Sequence, residues 1–234
     1  MENVTLPVYI TFAFTSLLTL ILFTKAVPNK GTTLVVLAIW LLLQSVLAFT
    51  GFYTHTDVLP PRFMLAVLPP VILSVTLFFT ASGRNYLDSL DIKFLTLLSL
   101  VRIPVELVLL WLFLSKAVPQ IMTFEGRNLD ILSGISAPVI YLPVFKYRLL
   151  GRSALLLWNF ICLGLLLNIV SIAILSAPFP FQKFGFEQPN VAVLNFPFVW
   201  LPCCIVPLVF ISHLAAIRQL IVKPGVLNVP AATN

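Results

Sequence analysis

A chain of 234 residues that is 60% hydrophobic and 9% charged, with a mean hydropathy of +1.07, has too little polar surface to coat a water-soluble domain. Its net charge of +6 does not point to nucleic acid, because the 14 Lys and Arg residues scatter over the ends of apolar segments and form no patch with interleaved aromatics. The composition selects an all-α, polytopic transmembrane helix bundle whose first partners are membrane lipids.

Seven apolar stretches follow one another, each near the length that crosses a bilayer as a helix. The first, Val8 to Thr24, is preceded by Glu2 and no Lys or Arg, and no small-residue cleavage site follows it, so it reads as a retained anchor and not a signal peptide. The second, Thr32 to Tyr53, contains Gln44, and the third, Phe63 to Ser82, contains Pro69 and Pro70. The fourth, Phe94 to Ala117, contains Arg102-Ile-Pro-Val-Glu106. At 1.5 Å per residue Arg102 lies about 12 Å and Glu106 about 18 Å along this helix, inside the hydrocarbon thickness. Their four-residue spacing places them on one face, where they are expected to pair.

The segment Pro119-Gln-Ile-Met-Thr-Phe-Glu125-Gly-Arg127-Asn128-Leu-Asp130 leads into the fifth span, Ile131 to Phe145. That span covers only about 22 Å of a core about 30 Å thick. The shortfall predicts that the polar segment sinks below the surface, so that Glu125, Arg127, Asn128 and Asp130 line a water-accessible recess above Glu106. Asn128 or Asp130 then caps the fifth helix. The sixth span, Ala154 to Ser176, holds Asn159 and Asn168, and the seventh, Val191 to Leu214, holds Asn195; these amides and Gln44 read as interhelical hydrogen-bond glue. The Phe-rich loop from Pro178 to Asn190 is a candidate lid over the recess. Pro104, Pro138, Pro143, Pro197, Pro202 and Pro207 also fall within spans and predict kinks. Residues 1–223 form one seven-helix domain, and 224–234 read as a disordered tail.

Basic residues set the orientation. One set of loops and the tail hold nine: Lys25, Lys30, Arg84, Lys93, Lys146, Arg148, Arg152, Arg218 and Lys223. The opposite set holds four, namely Arg62, Lys116, Arg127 and Lys183. The expected N-terminus is outside and the C-terminus cytoplasmic. The segments Arg102-Ile-Pro-Val-Glu106, Thr123-Phe-Glu-Gly-Arg-Asn-Leu-Asp130 and Phe186-Glu-Gln-Pro-Asn-Val-Ala-Val193 are similar to those of small seven-helix bacterial inner-membrane proteins of unassigned activity. The resemblance covers most of the chain and implies a multi-pass inner-membrane location; it implies no function and no site residues.

Several chemistries are excluded by what the spans contain. No lysine lies deep in a span, as a retinal Schiff base requires. Cys162, Cys203 and Cys204 lack metal or redox spacing, and His55 and His213 are expected far apart, so no metal and no cofactor is predicted. Ser133 and Ser136 are expected to lack a histidine at matched depth, which argues against an intramembrane serine protease. No internal repeat supports an inverted-repeat carrier. The classes left open are binding or transport of a small molecule or ion at Arg102, Glu106, Glu125, Arg127, Asn128 and Asp130, a membrane enzyme acting on lipid-linked substrates, and an interaction subunit or sensor with a protein partner in the membrane.

Overall fold

The computed structural model describes residues 3–223 together with Gly225 and Leu227; the expected disordered tail otherwise lies outside the described residues. Among these, the chain forms nine α-helices and no strand, with the longest connections before α3, before α7 and after α8. Helices α1 (Leu6–Ala26) and α2 (Lys30–Phe49) are each long and apolar enough to cross a bilayer. The side chain of Asn29 opens α2 by accepting from Thr32 N. Gly51, at φ 69°, closes it, four residues short of the Tyr53 limit expected from hydropathy. The turn carries Tyr53 back against the helix, where its buried hydroxyl donates to Gln44 Oε1 at 2.5 Å.

The expected third span is not one straight helix. It breaks by 94° into α3 (Met64–Phe79) and α4 (Ala81–Ser89). Thr80 Oγ1 accepts from Gly83 N to start the new helix, and Gly83 lies against the backbone of Leu77, where a Cβ would collide. Helix α4 carries Arg84, Asn85 and Asp88, residues too polar to continue into hydrocarbon. The fourth span is a 23-residue segment, Ile92–Leu114, built from α5 (Ile92–Leu98), a 3₁₀ turn (Ser99–Val101) and α6 (Arg102–Leu114). Pro104 cannot donate to the carbonyl one turn back, and the helix tightens just before it.

Helix α7 (Ile131–Tyr141) continues through a π-helical turn, Leu142–Lys146, and is as short as the sequence predicts. Helix α8 (Arg152–Leu175) is a full-length span. The last span is Leu201–Val222, a π-helical turn at Leu201–Ile205 followed by α9 (Val206–Val222), and this corrects the expected Val191 to Leu214. The apolar residues before it form only a 3₁₀ turn, Ala192–Leu194, within an irregular loop. Val191 N and Ala192 N both donate to Ala117 O, and Asn195 is extended ahead of Phe196-Pro197. Hydropathy registers these buried loop residues as part of a span because burial, not helicity, makes them apolar. Arg218, expected in the tail, belongs to α9.

All seven expected apolar segments are thus represented, five of them as single spans, one as the bent pair and one as the short α7. The centre of the bundle is the Leu201–Val222 span, where 67% of an apolar 18-residue stretch is buried, while the corresponding stretch of α2 is 17% buried and α2 presents Leu34, Val35, Ile39 and Leu42 outward, the surface a bilayer would cover. Buried hydroxyls on α1 bond to their own helix: Thr15, Ser16 and Thr19 donate to the carbonyls of Thr11, Phe12 and Thr15. At one end of the bundle, Arg218 pairs with Asp88 through two 3.0 Å bonds, and Gln219 Nε2 donates to Leu87 O and Leu90 O, fastening α4 to α9.

Candidate functional site: a buried polar network

Arg102 begins α6 in the middle of its span and is 2% exposed. Its guanidinium does not pair with Glu106, as the four-residue spacing led one to expect. Nη1 donates to Asp130 Oδ1 at 2.5 Å and to Cys162 O at 3.2 Å, and Nη2 lies 2.9 Å from His213 Nε2. The reason is geometric. A planar fork with five donors is better satisfied by acceptors converging from α7, α8 and α9 than by one carboxylate on its own helix.

His213 corrects a second expectation. Placed near a helix end by hydropathy, it lies 12 residues after Leu201, about 18 Å along the span and therefore mid-span, because the last span starts ten residues later than expected. Arginine has no acceptor, so the short contact requires His213 Nε2 to accept from Arg102 Nη2. Nδ1 then carries the proton and donates to Asn159 Oδ1 at 2.8 Å, while Asn159 Nδ2 donates to Leu155 O. The imidazole is thereby assigned as the neutral Nδ1–H tautomer. A depth-matched histidine does exist near Ser133, but both of its nitrogens are engaged. Ser133 Oγ donates to Asp130 Oδ1 at 3.4 Å and Ser136 Oγ accepts from Trp158 Nε1, so neither serine bonds a histidine.

Glu106 lies one turn further along α6 and is 1% exposed. Asn128 Nδ2 donates to its Oε1 at 2.5 Å and also to Met122 O, while Asn128 Oδ1 accepts from Asp130 N. Asp130 occupies the N-cap position of α7 as expected, but its side chain makes no capping bond because it is committed to Arg102. Three buried polar atoms on one face of the α5–α6 span have no hydrogen-bond partner among the described residues: Ser99 Oγ, Arg102 Nε and Glu106 Oε2. Spacings of three and four residues align them along the helix.

The proposed recess is divided. Arg102, Glu106, Asn128 and Asp130 come together and are buried, whereas Glu125 and Arg127 are exposed, with the Arg127 backbone held by Asn168 Nδ2 donating to its carbonyl. The turn between them is tight, since a Cβ on Gly126 would collide with the backbone of Gln120 and Ile121. The Phe-rich loop borders a separate cavity that Glu106 does not line. Of the predicted glue residues, Gln44, Asn159 and Asn168 bond across elements, but Asn195 donates to its own Val191 O. His213 is the residue that sequence reasoning missed. Its signal was present only as a histidine in an apolar run, whose depth depended on where the helix began.

No family model, curated protein or solved structure matches the chain. The helical architecture is compatible with an integral membrane protein.

Proposed function

We propose that the protein is a multi-pass inner-membrane protein that binds a proton or small cation at Glu106 and couples that binding to passage of a proton or small solute. The observation that carries this reading is a charge count. Arg102 and Asp130 compensate each other, and His213 is neutral by its bonding, so Glu106 is a buried carboxyl with one bound oxygen, one unpartnered oxygen and no ion-paired cation among the described residues. A bare carboxylate at such a place is too costly to keep; a proton or a cation has to balance it.

The remaining residues have separable tasks. Arg102, through Nη1 and Nη2, together with Asp130, His213 and Asn159, fixes α6, α7, α8 and α9 in register. Asn128 connects Glu106 to the exposed Glu125–Arg127 turn, and so marks the side from which a proton reaches the carboxyl. By the distribution of basic residues, that side is extracytoplasmic. Ser99 and Arg102 Nε, aligned with Glu106 Oε2 on the same face, supply the next polar atoms along the span.

The test is proton movement in liposomes holding the purified protein and a pH-sensitive dye, driven by an imposed potential. Wild type is expected to move protons and Glu106→Gln to be inactive, with its fold verified by thermal melting. A Glu106→Gln protein that moves protons like wild type overturns the assignment. A wild type that moves none, while Glu106→Gln destabilises the protein, supports the network as a purely structural lock for an interaction subunit.

A further inference from the structure

A cavity of about 590 Å³ lies outside the network, where the loop after α6 meets the loop after α8. Its size falls in the range of ligand sites. The walls are fixed by hydrogen bonds. Gln188 Nε2 donates to Phe113 O at 2.8 Å and Val118 O at 2.6 Å, and the backbone N–H groups of Lys183 and Phe184 both donate to Leu175 O. Gly185, at φ 66°, packs so closely on Pro119 that a Cβ would come within 2.8 Å of its ring.

Three features define what fits. Lys183 and Glu187 both line the cavity, both are exposed, and neither forms an ion pair among the described residues. Phe113, Ile121, Phe184 and Phe186 supply apolar surface, with Phe186 71% exposed. The cavity opens at the end of a membrane span, since Phe113 is the penultimate residue of α6 and the following Leu114 is 67% exposed. A ligand must therefore carry both charge signs and an apolar body, and must be available at headgroup depth.

We infer that this cavity binds a zwitterionic phospholipid with a primary ammonium. Its phosphate meets Lys183, its ammonium donates to Glu187, and an acyl chain enters along Phe113 and Phe186. This site is independent of Glu106 and requires no proton movement.

Delipidated protein in detergent, incubated with short-chain phosphatidylethanolamine, phosphatidylcholine or phosphatidylglycerol, is scored for retained lipid by native mass spectrometry. Phosphatidylethanolamine is expected to be retained preferentially. Lys183→Glu is expected to lower its retention about fivefold, the scale of one interfacial charge. Glu187→Lys is expected to transfer the preference to phosphatidylglycerol, and Phe186→Ser to weaken retention of all three lipids. All three substitutions are at exposed positions, and an unchanged melting temperature verifies each fold. Equal retention of the three lipids by wild type and variants shows lipid held nonspecifically around the bundle and overturns the site, as does no retention at all.

Discussion

Replacing Asp130 and replacing Glu106 are expected to differ severalfold in their cost to stability, although both are buried carboxyls on one network. Asp130→Ala removes the acceptor at 2.5 Å from Arg102 Nη1 and leaves a guanidinium whose side chain is 3% exposed without its counter-charge. Breaking a buried pair from one side costs about 3–5 kcal/mol, because the desolvation cost of the remaining ion is no longer offset. Glu106→Gln retains a carbonyl oxygen for Asn128 Nδ2 and breaks no ion pair, so its cost is about 1 kcal/mol or less. Equilibrium denaturation in detergent measures both, and a double-mutant cycle identifies the partner. Arg102→Met combined with Asp130→Ala should recover at least half of the larger single loss, whereas Arg102→Met and Glu106→Gln should be nearly additive. Recovery is incomplete because His213 Nε2 and Cys162 O lose their donor in any Arg102 variant. A cycle in which Arg102 couples to Glu106 as strongly as to Asp130 would refute the pairing and the charge count built on it.

Gly134→Ala should destabilise the protein by about 1–3 kcal/mol in the same assay, since its Cβ would come within 2.7 Å of Ile103 Cγ1 and 3.2 Å of Ser99 O, pushing α7 off the α5–α6 span. Tyr53→Phe should cost about 1–3 kcal/mol by leaving the buried Gln44 carbonyl without its donor, and Gln44→Leu added to it should restore part of the loss. In a variant lacking the native cysteines, a cysteine at Arg127 should react rapidly with a water-soluble thiol reagent, and one at Asn128 should resist it; equal labelling would open the segment to water and revive a continuous recess. A topology reporter after Lys223 should read cytoplasmic and one near Gly185 extracytoplasmic, and the reverse result would overturn the orientation drawn from the basic residues.

Local composition alone determined the all-helical membrane class, the shortness of α7 and the depth of Arg102 and Glu106, because each depends on how many consecutive residues lipid tolerates. Neighbours in three dimensions decided the rest. Residues 191–200 are apolar because they are buried in a loop, and only the packed structure distinguishes that from a helix crossing lipid. The ten-residue shift this produced moved His213 to mid-span and made it a partner of Arg102. Likewise, a four-residue spacing establishes that Arg102 and Glu106 share a face, but pairing depends on which acceptors approach the guanidinium, and those came from 28, 60 and 111 residues away. Short-range periodicity contains no term for such contacts, and so the sequence located the buried charges while the fold decided which one remained uncompensated.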